Sequence, residues 1–303
     1  MRWIVGAAAA LLGWAAGLAA GMSNPARADE LTVVTPDGTR SAILLAAGRP
    51  RAATVIVLHG ALVSAEATVS WYGFGEAVKR RGLTAAFPRG LGLLWNDGRN
   101  AAWASGADDV VFLRRLAQRL VANGTADPAR LYLVGVSNGG MMALRMLCET
   151  PETFAGAGLV IASMPAEVGA RCRLRRPVPI VMLNGTADTL IPYGGGNVGF
   201  GVGGLQGSVW PVERTAAFLA RQTGCEPVSK RTIAGSAEAE PIRVVRLDWG
   251  HCEGGVTLYR VEGAGHQVYG HTNYFPMLLG PGTDLVSAPD AILAAFAGRK
   301  PPP

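Results

Sequence analysis

The sequence predicts an α/β fold in which a mainly parallel sheet is covered by helices on both faces. Four short runs are apolar at almost every position and end in polar, proline or glycine residues, as strands buried on both faces do. Segments with helical periodicity lie between these runs, and such alternation is typical of a parallel sheet. The 303 residues are 49% hydrophobic and 17% charged, a composition that can bury the core of one such domain.

The elements follow in order along the chain. Residues 31–34 and 41–45 flank the turn tripeptide Pro36-Asp37-Gly38 and predict an antiparallel hairpin at the start of the fold. Parallel strands are predicted at residues 53–58, 83–87, 130–136, 179–183 and 256–261. Helices are predicted at residues 74–81, 108–122, 138–149 and 289–297. No repeat, linker or charge block divides the sequence, so we expect one domain over residues 29–303.

The first 28 residues have the pattern of a secretory signal peptide. Arg2 precedes an apolar stretch from Trp3 to about Met22, and Ala26-Arg27-Ala28 provides an A-x-A cleavage site. An uncleaved membrane anchor is the alternative, because the apolar stretch nears the ~20 residues that span a bilayer. The signal predicts a secreted or periplasmic protein with no stable membrane span after cleavage.

The charge of the sequence does not indicate a nucleic-acid partner. Loss of Arg2 and Arg27 with the signal would lower the formal net charge from +6 to +4. The remaining positive charges are almost all arginines and are scattered, without a Lys/Arg block. The oligomeric state cannot be predicted from these features.

Four cysteines form an even set in a chain that we expect to be exported, so disulfides are predicted. Three pairings are open, and sequential pairing closes two short loops. A zinc site is the rival, although the sequence has no C-x-x-C and the cysteines are dispersed. The sequential pairs are Cys148 with Cys172 and Cys225 with Cys252.

A glycine-rich segment lies at residues 192–210, with eight glycines among nineteen residues. A loop of this length is uncommon unless it is functional or disordered. We expect a flexible flap over a site, and a plain surface insertion is the alternative.

Residues 135–139 fit G-x-S-x-G, with a predicted strand before Ser137 and an apolar helix after it. This context favours a nucleophile on a tight strand-to-helix turn at the sheet edge. The alternative is a glycine-rich turn with a capping serine.

Asp188 and His266, both later in the chain than Ser137, complete the order serine, acid, histidine. This is the chain order of the catalytic residues in an α/β-hydrolase. Asp188 follows the strand at 179–183, and its alternative role is that of a turn aspartate. His266 follows the strand at 256–261 in a Gly-Ala-Gly-His loop. A histidine held by a carboxylate can take the proton of a serine hydroxyl near neutral pH. The rivals are His251 and His271 for the base, and Asp248 and Asp284 for the acid.

An oxyanion hole is predicted beside this serine. His59-Gly60-Ala61 follows the first buried strand, so the backbone N–H groups of Ala61 and Asn138 would converge on a substrate carbonyl oxygen. We expect His59 itself to be a hydrogen-bonded structural histidine.

Several segments resemble the polyhydroxybutyrate depolymerase and type C feruloyl esterase group of secreted α/β-hydrolases. The resemblance covers nearly all of the sequence after the predicted signal. It rests on VVTPDGTR, VIVLHGALVSA, WNDGR, VGVSNGGMMALRMLCETPETFAGAG, NGTADTLIPYGGG and VEGAGHQVYG.

This resemblance implies a serine esterase without metal or organic cofactor. Ser137, Asp188 and His266 match the group's nucleophile, acid and base. The WNDGR segment is similar to one near the group's active site, which makes Trp95 a candidate substrate contact; a packed loop aromatic is the alternative.

Two departures from the group lie beside the acyl pocket. Members often have a tryptophan-proline pair after the catalytic histidine, whereas Gln267-Val268-Tyr269 follows here, and many have a cysteine where Ala61 stands. Tyr269 is therefore a second candidate substrate contact.

The expected substrate is a small or polymeric ester, either a hydroxyalkanoate or an aromatic acyl ester of polysaccharide. Two other functions remain open: a non-catalytic relative that binds a ligand or partner, and a peptidase of the same fold.

Overall fold

A ten-stranded sheet forms the centre of the computed structural model, which describes residues 29–99, 106–199, 207–235, 241–271 and 275–297. The predicted signal peptide lies outside these residues. The strands are β1 (Asp29–Thr35), β2 (Gly38–Leu45), β3 (Ala52–Leu58), β4 (Thr84–Pro88), β5 (Ala126–Val136), β6 (Ala157–Val160), β7 (Ile180–Gly185), β8 (Gly196–Asn197), β9 (Ser208–Val209), β10 (Glu226–Ala234), β11 (Arg243–Gly250) and β12 (Val256–Glu262).

The sheet is parallel at its centre and antiparallel at both edges. Its order is β1-β2-β4-β3-β5-β6-β7-β12-β11-β10, and β8 pairs with β9 apart from it. The strands from β4 to β12 in this order pair in parallel, while β1–β2–β4 and β12–β11–β10 pair antiparallel. The predicted mainly parallel sheet and N-terminal hairpin are confirmed.

Three strands of the ten-stranded sheet, and the short strands β8 and β9, were not predicted from the sequence. β6 is only four residues long, so its apolar run is too short to stand out. β10 is exposed along almost its whole length and has no apolar run to signal it. β11 pairs with both β10 and β12 and thereby connects β10 to the rest of the sheet.

Helices cover both faces of the sheet, as predicted. They are α1 (Ala65–Trp71), α2 (Phe74–Arg80), α3 (Asp109–Ala122), α4 (Asn138–Glu149), α5 (Ala166–Arg171), α6 (Val212–Gln222), α7 (Pro276–Leu279) and α8 (Ala288–Ala297). The fully buried β3 shows why two layers are needed. Its residues Ile56 and Leu58 pack into the apolar core that includes α3, α4 and α6, while Val55 and Val57 pack into the core that includes α2 and α8.

Two disulfides tie helices to neighbouring segments, in the sequential pairing. Cys148 near the end of α4 is bonded to Cys172, which follows α5. Cys225 after α6 is bonded to Cys252 after β11. Among the described residues, no helix has both the length and the apolar character needed to cross a membrane.

The carboxyl ends of the parallel strands meet at one edge of the sheet. His59 follows β3, Ser137 follows β5, Asp188 lies in the turn after β7, and His266 lies in the loop after β12. Loops that carry polar side chains collect at this edge in open α/β sheets, because the helices return the chain to the opposite edge. The topology therefore brings residues that are far apart in sequence to one place.

Candidate active site

Ser137 occupies a strained turn between β5 and α4. Its backbone has φ 55° and ψ −119°, a conformation with positive φ that residues other than glycine rarely adopt. The turn is tight enough to require glycine on both sides. A Cβ at Gly135 would lie 2.1 Å from the carbonyl oxygen of Gly139, and one at Gly139 would lie 2.4 Å from that of His59. The G-x-S-x-G spacing thus has a steric cause in this fold.

The side chains of Ser137, His266 and Asp188 form one continuous hydrogen-bond chain. His266 Nε2 lies 2.9 Å from Ser137 Oγ, and its Nδ1 lies 2.7 Å from Asp188 Oδ2. An ionised carboxylate only accepts hydrogen bonds, so the neutral imidazole carries its proton on Nδ1 and leaves Nε2 to accept from the hydroxyl. This tautomer is the one that a general base toward serine requires.

Backbone amides hold the Asp188 carboxylate in place. Its Oδ1 accepts the N–H groups of Leu190 at 2.9 Å and Ile191 at 2.8 Å. Its Oδ2 is then left facing His266. Both side chains are almost completely buried, at 7% exposure for each residue. The loop after β7 therefore determines which carboxylate oxygen meets the imidazole.

The predicted oxyanion loop lies directly against the serine. A Cβ at Gly60 would be 3.6 Å from Ser137 Cβ, so the backbone next to Ala61 passes close to the hydroxyl. Asn138 is the first residue of α4, and the N–H of a first helical residue has no acceptor within its helix. The positive end of the helix dipole also favours negative charge at this point. The oxyanion role of these two N–H groups stays a prediction.

His59 has backbone partners on both ring nitrogens. Its Nε2 accepts the N–H of Gly90 at 2.9 Å, so Nδ1 carries the proton and donates to the carbonyl of Gly60 at 2.8 Å. Burial lowers the pKa of this imidazole below its usual value, and the residue is 1% exposed. These bonds fix the oxyanion loop to the segment after β4, in agreement with the predicted structural role.

Trp95 and Tyr269 are both buried in this structure, and their predicted role as substrate contacts stays a prediction. Trp95 is 1% exposed and packs between His59 and Phe112, with ring centroids 4.8 and 6.5 Å away. Tyr269 is fully buried and donates its hydroxyl to the carbonyl of Gly265 at 2.9 Å. The indole of Trp95 and the phenol of Tyr269 each fill space in the core behind a loop of the candidate site. Burial of a large apolar ring is favourable in free energy.

The rival candidates lie away from the hydrogen-bonded chain. His251 is exposed, and His271 hydrogen-bonds to the carbonyl of Ser70 at 3.0 Å. Asp248 accepts the hydroxyl groups of Ser229 and Thr257 on the outer strands. Asp284 is exposed.

The two ends of the glycine-rich segment form a small hairpin. Gly196 pairs with Val209, and Asn197 pairs with Ser208. Ser163 Oγ donates to the carbonyl of Trp210 at 2.6 Å, which ties the base of the hairpin to the segment after β6. Residues 200–206 lie outside the described part of the chain, so closure over the site stays a prediction.

Sequence reasoning missed the polar residues behind the predicted oxyanion hole. The side chain of Asn138 bonds to Trp95 and Asp97, and Asp97 forms a buried ion pair with Arg99. The WNDGR string contains three of these residues and was the available signal. Its contact with Asn138, more than 40 positions away, becomes visible only in the folded chain.

Comparison with known proteins supports the fold. The model of the prolyl oligopeptidase family matches residues 90–165, which include the turn at Ser137. Among solved structures, the acetyl xylan esterase from Aspergillus awamori superposes with a TM-score of 0.56 at 14% identity, covering 79% of this chain and 94% of that one. The chain has the α/β-hydrolase fold.

Curated sequence relatives include a putative esterase and two proteins that carry the names of the expected group. The putative esterase NocK of Nocardia uniformis subsp. tsuyamanensis is 34% identical over 150 residues, 49% of this chain and 42% of that protein. Feruloyl esterase B of Piromyces equi is 28% identical over 227 residues, 72% of this chain and 40% of that protein. Poly(3-hydroxybutyrate) depolymerase of Ralstonia pickettii is 28% identical over 131 residues, 39% of this chain and 27% of that protein.

These relatives confirm the resemblance to the polyhydroxybutyrate depolymerase and feruloyl esterase group. The chain spans about two fifths of the length of NocK and of the Piromyces enzyme, and less of the Ralstonia enzyme.

Proposed function

We propose that the protein is a serine hydrolase of carboxylic esters. Ser137 is the nucleophile, His266 the general base and acid, and Asp188 the residue that orients the imidazole. The observation that carries the proposal is the unbroken hydrogen-bond chain from the serine hydroxyl to the aspartate, with distances of 2.9 and 2.7 Å. A neutral serine is a poor nucleophile, and such a chain is what activates it.

The reaction proceeds by acyl transfer in two halves. Ser137 Oγ attacks the ester carbonyl carbon while its proton passes to His266 Nε2, and the carbonyl π electrons move onto the oxygen. The N–H groups of Ala61 and Asn138 stabilise that oxyanion. When the oxyanion collapses, the C–O bond to the alcohol breaks and His266 returns the proton to the leaving alkoxide. Water then repeats the sequence on the acyl-serine and releases the acid.

The names of the relatives support a proposal for the substrate class. One is named a feruloyl esterase, one a poly(3-hydroxybutyrate) depolymerase and one a putative esterase. We therefore assign to this protein either hydroxyalkanoate oligomers and polymers or feruloyl and other acyl esters of polysaccharide.

A peptidase is the second candidate, and the match to the prolyl oligopeptidase family favours it. The matched residues 90–165 cover a quarter of the chain and contain the nucleophile turn that serine peptidases and esterases of this fold share. The two activities therefore have to be distinguished with substrates that differ in the leaving group, an alcohol for the esterase and an amine for the peptidase.

The test is a substrate panel on the purified protein: p-nitrophenyl butyrate, methyl ferulate, hydroxybutyrate oligomers and a peptide p-nitroanilide. We expect hydrolysis of at least one ester and a loss of about 10⁶-fold in kcat in Ser137→Ala. Ser229→Ala is the matched control, because Ser229 lies on the exposed edge strand β10 and bonds to Asp248.

The control should keep wild-type activity. Absence of ester hydrolysis in the wild type, or full activity in Ser137→Ala, would refute the esterase. Preference for the anilide would establish the peptidase instead. Stoichiometric binding of an ester without turnover would indicate a non-catalytic relative.

We also propose that the protein is exported and loses residues 1–28. The support is the A-x-A pattern at residues 26–28 and the two disulfides, which persist in oxidising compartments. Amino-terminal sequencing of protein from outside the cytoplasm should begin at Asp29. An intact terminus in a membrane fraction would favour the anchor.

A further inference from the structure

Trp95 hydrogen-bonds to both segments that are predicted to form the oxyanion hole. Its indole Nε1–H donates to the carbonyl of His59 at 3.0 Å, two residues before Ala61. Its backbone N–H donates to Asn138 Oδ1 at 2.8 Å, and its carbonyl accepts from Asn138 Nδ2 at 3.0 Å. One buried residue thus connects the loop after β3 with the first residue of α4.

We propose that Trp95 and Asp97 are positioning residues that fix the separation of the two oxyanion donors, the backbone N–H groups of Ala61 and Asn138. Both residues are buried, and this role requires no contact with the substrate. The inference rests on the proposed function, since it concerns the step in which negative charge develops on the ester oxygen.

The Asn138 side chain is the centre of this arrangement. Its amide oxygen has one partner and its amide nitrogen has two, the carbonyl of Trp95 and Asp97 Oδ2 at 2.6 Å. All three residues are at most 3% exposed. A buried amide with three hydrogen bonds cannot rotate without leaving polar groups unpaired, so the start of α4 is held in one orientation. Donors that are in place before the reaction stabilise an oxyanion best.

The WNDGR segment is also anchored on its other side. The backbone N–H of Asn96 donates to Asp109 Oδ2 at 2.8 Å, and Asp109 forms a buried ion pair with Arg40 at 2.8 Å. The segment is therefore held on both sides, by Asp109 of α3 and by Asn138 of α4.

Arg99 balances the charge of Asp97. Its Nε lies 3.0 Å from both carboxylate oxygens, and both side chains are buried. Without this guanidinium, a negative charge would lie beside the helix end where the oxyanion forms, and like charges at short range oppose each other strongly in a dry site. Because of the ion pair with Arg99, the Asp97 carboxylate can hold Asn138 without placing an unbalanced negative charge beside the oxyanion.

The first test replaces Trp95 by Phe, which removes the indole N–H and keeps a buried aromatic ring. We expect kcat for p-nitrophenyl butyrate to fall about 10- to 100-fold, with KM changed by less than about twofold. Phe112→Leu is the matched control, because Phe112 packs on the same indole without touching the hydrogen bonds. It should lower Tm by a similar amount and keep kcat.

A thiono ester distinguishes positioning from loss of stability. Sulfur accepts hydrogen bonds poorly, so an intact oxyanion hole favours the oxygen ester over its thiono analogue. This preference should shrink in Trp95→Phe and stay unchanged in Phe112→Leu. An unchanged preference in Trp95→Phe would overturn the proposal.

The charge balance has its own test. Arg99→Gln should lower kcat about tenfold or more, and the double variant Asp97→Asn/Arg99→Gln should recover most of that loss, because the uncompensated charge is gone. A double variant that is no better than Arg99→Gln would refute the role assigned to the ion pair.

Amide NMR keeps the inference testable if the protein hydrolyses no ester, a result that would refute the proposed function alone. Trp95→Phe should shift the backbone ¹⁵N–¹H signals of both Ala61 and Asn138, whereas Phe112→Leu should leave both near their original positions. Unshifted signals in Trp95→Phe would overturn the positioning role.

Discussion

His59 and His266 are two buried histidines at the same edge of the sheet, and their ring nitrogens have different partners. Those of His59 bond to the backbone of Gly60 and Gly90. Those of His266 bond to a carboxylate and to the hydroxyl of Ser137. Burial and position are therefore insufficient to identify a base. A histidine can take a proton from a nucleophile only where one ring nitrogen is free to accept it, and at His266 the Asp188 carboxylate holds the other nitrogen.

The strongest test of the difference between His59 and His266 is to replace each of them by glutamine. His266→Gln should lower kcat about 10⁵-fold or more, since no proton acceptor remains for Ser137. His59→Gln should lower kcat less than about tenfold and reduce the free energy of unfolding by about 1 to 3 kcal/mol, because a buried backbone group loses its partner. Ester kinetics and urea unfolding of both variants provide the check. Equal losses of kcat would mean that both imidazoles take part in the reaction.

Asp188→Asn should have the next largest effect, about 10⁴-fold in kcat. The two backbone N–H groups that bond to Oδ1 will select the amide oxygen of the new side chain. The amide nitrogen then faces His266 Nδ1 and forces the proton onto Nε2, where it blocks the base.

Asp248→Asn is the control for that substitution, because Asp248 is a partly buried acceptor on β11 that bonds to Ser229 and Thr257 and not to the triad. It should retain wild-type kcat. Full activity in Asp188→Asn would show that another group orients the imidazole.

The fold and the hydrogen-bonded triad could be predicted because their signals are local. Apolar runs such as that of β3 mark strands buried on both faces, and Ser137 and Asp188 each follow such a strand or its turn. His266 follows β12, in which buried and partly buried residues are mixed. The chain order of these three residues then limits the alternatives.

The direction of loop side chains could not be predicted in the same way. Trp95 and Tyr269 lie beside the site in sequence, and their burial depends on packing against segments far along the chain. The bonds from Asn138 to Trp95 and Asp97 have the same origin. Strand β10 was missed because an exposed edge strand needs no apolar pattern.

Tyr269→Phe should have a smaller effect, and it tests the predicted role of Tyr269 as a substrate contact. The phenol donates to the carbonyl of Gly265, just before His266, and burial together with the charge of Asp188 raises its pKa well above the usual value. Loss of the hydroxyl should reduce the free energy of unfolding by about 1 to 2 kcal/mol. We expect kcat to fall less than about tenfold, with the same KM for acetyl, butyryl and feruloyl esters. A KM change confined to one acyl group would instead show that Tyr269 contacts the substrate.

The smallest expected effect concerns the pH dependence of stability. Burial lowers the pKa of His59 in the folded protein, against about 6.5 in the unfolded chain. Between these two values the unfolded chain binds more protons, so this contribution to stability is complete above about pH 6.5 and is lost as the pH falls through the folded pKa. The slope from one such group is at most about 1.4 kcal/mol per pH unit. Urea unfolding from pH 5 to 8 should therefore show a shallower decline toward acid in His59→Gln than in the wild type. Parallel curves would mean that His59 is protonated to the same extent in both states, against the tautomer that its two backbone bonds require.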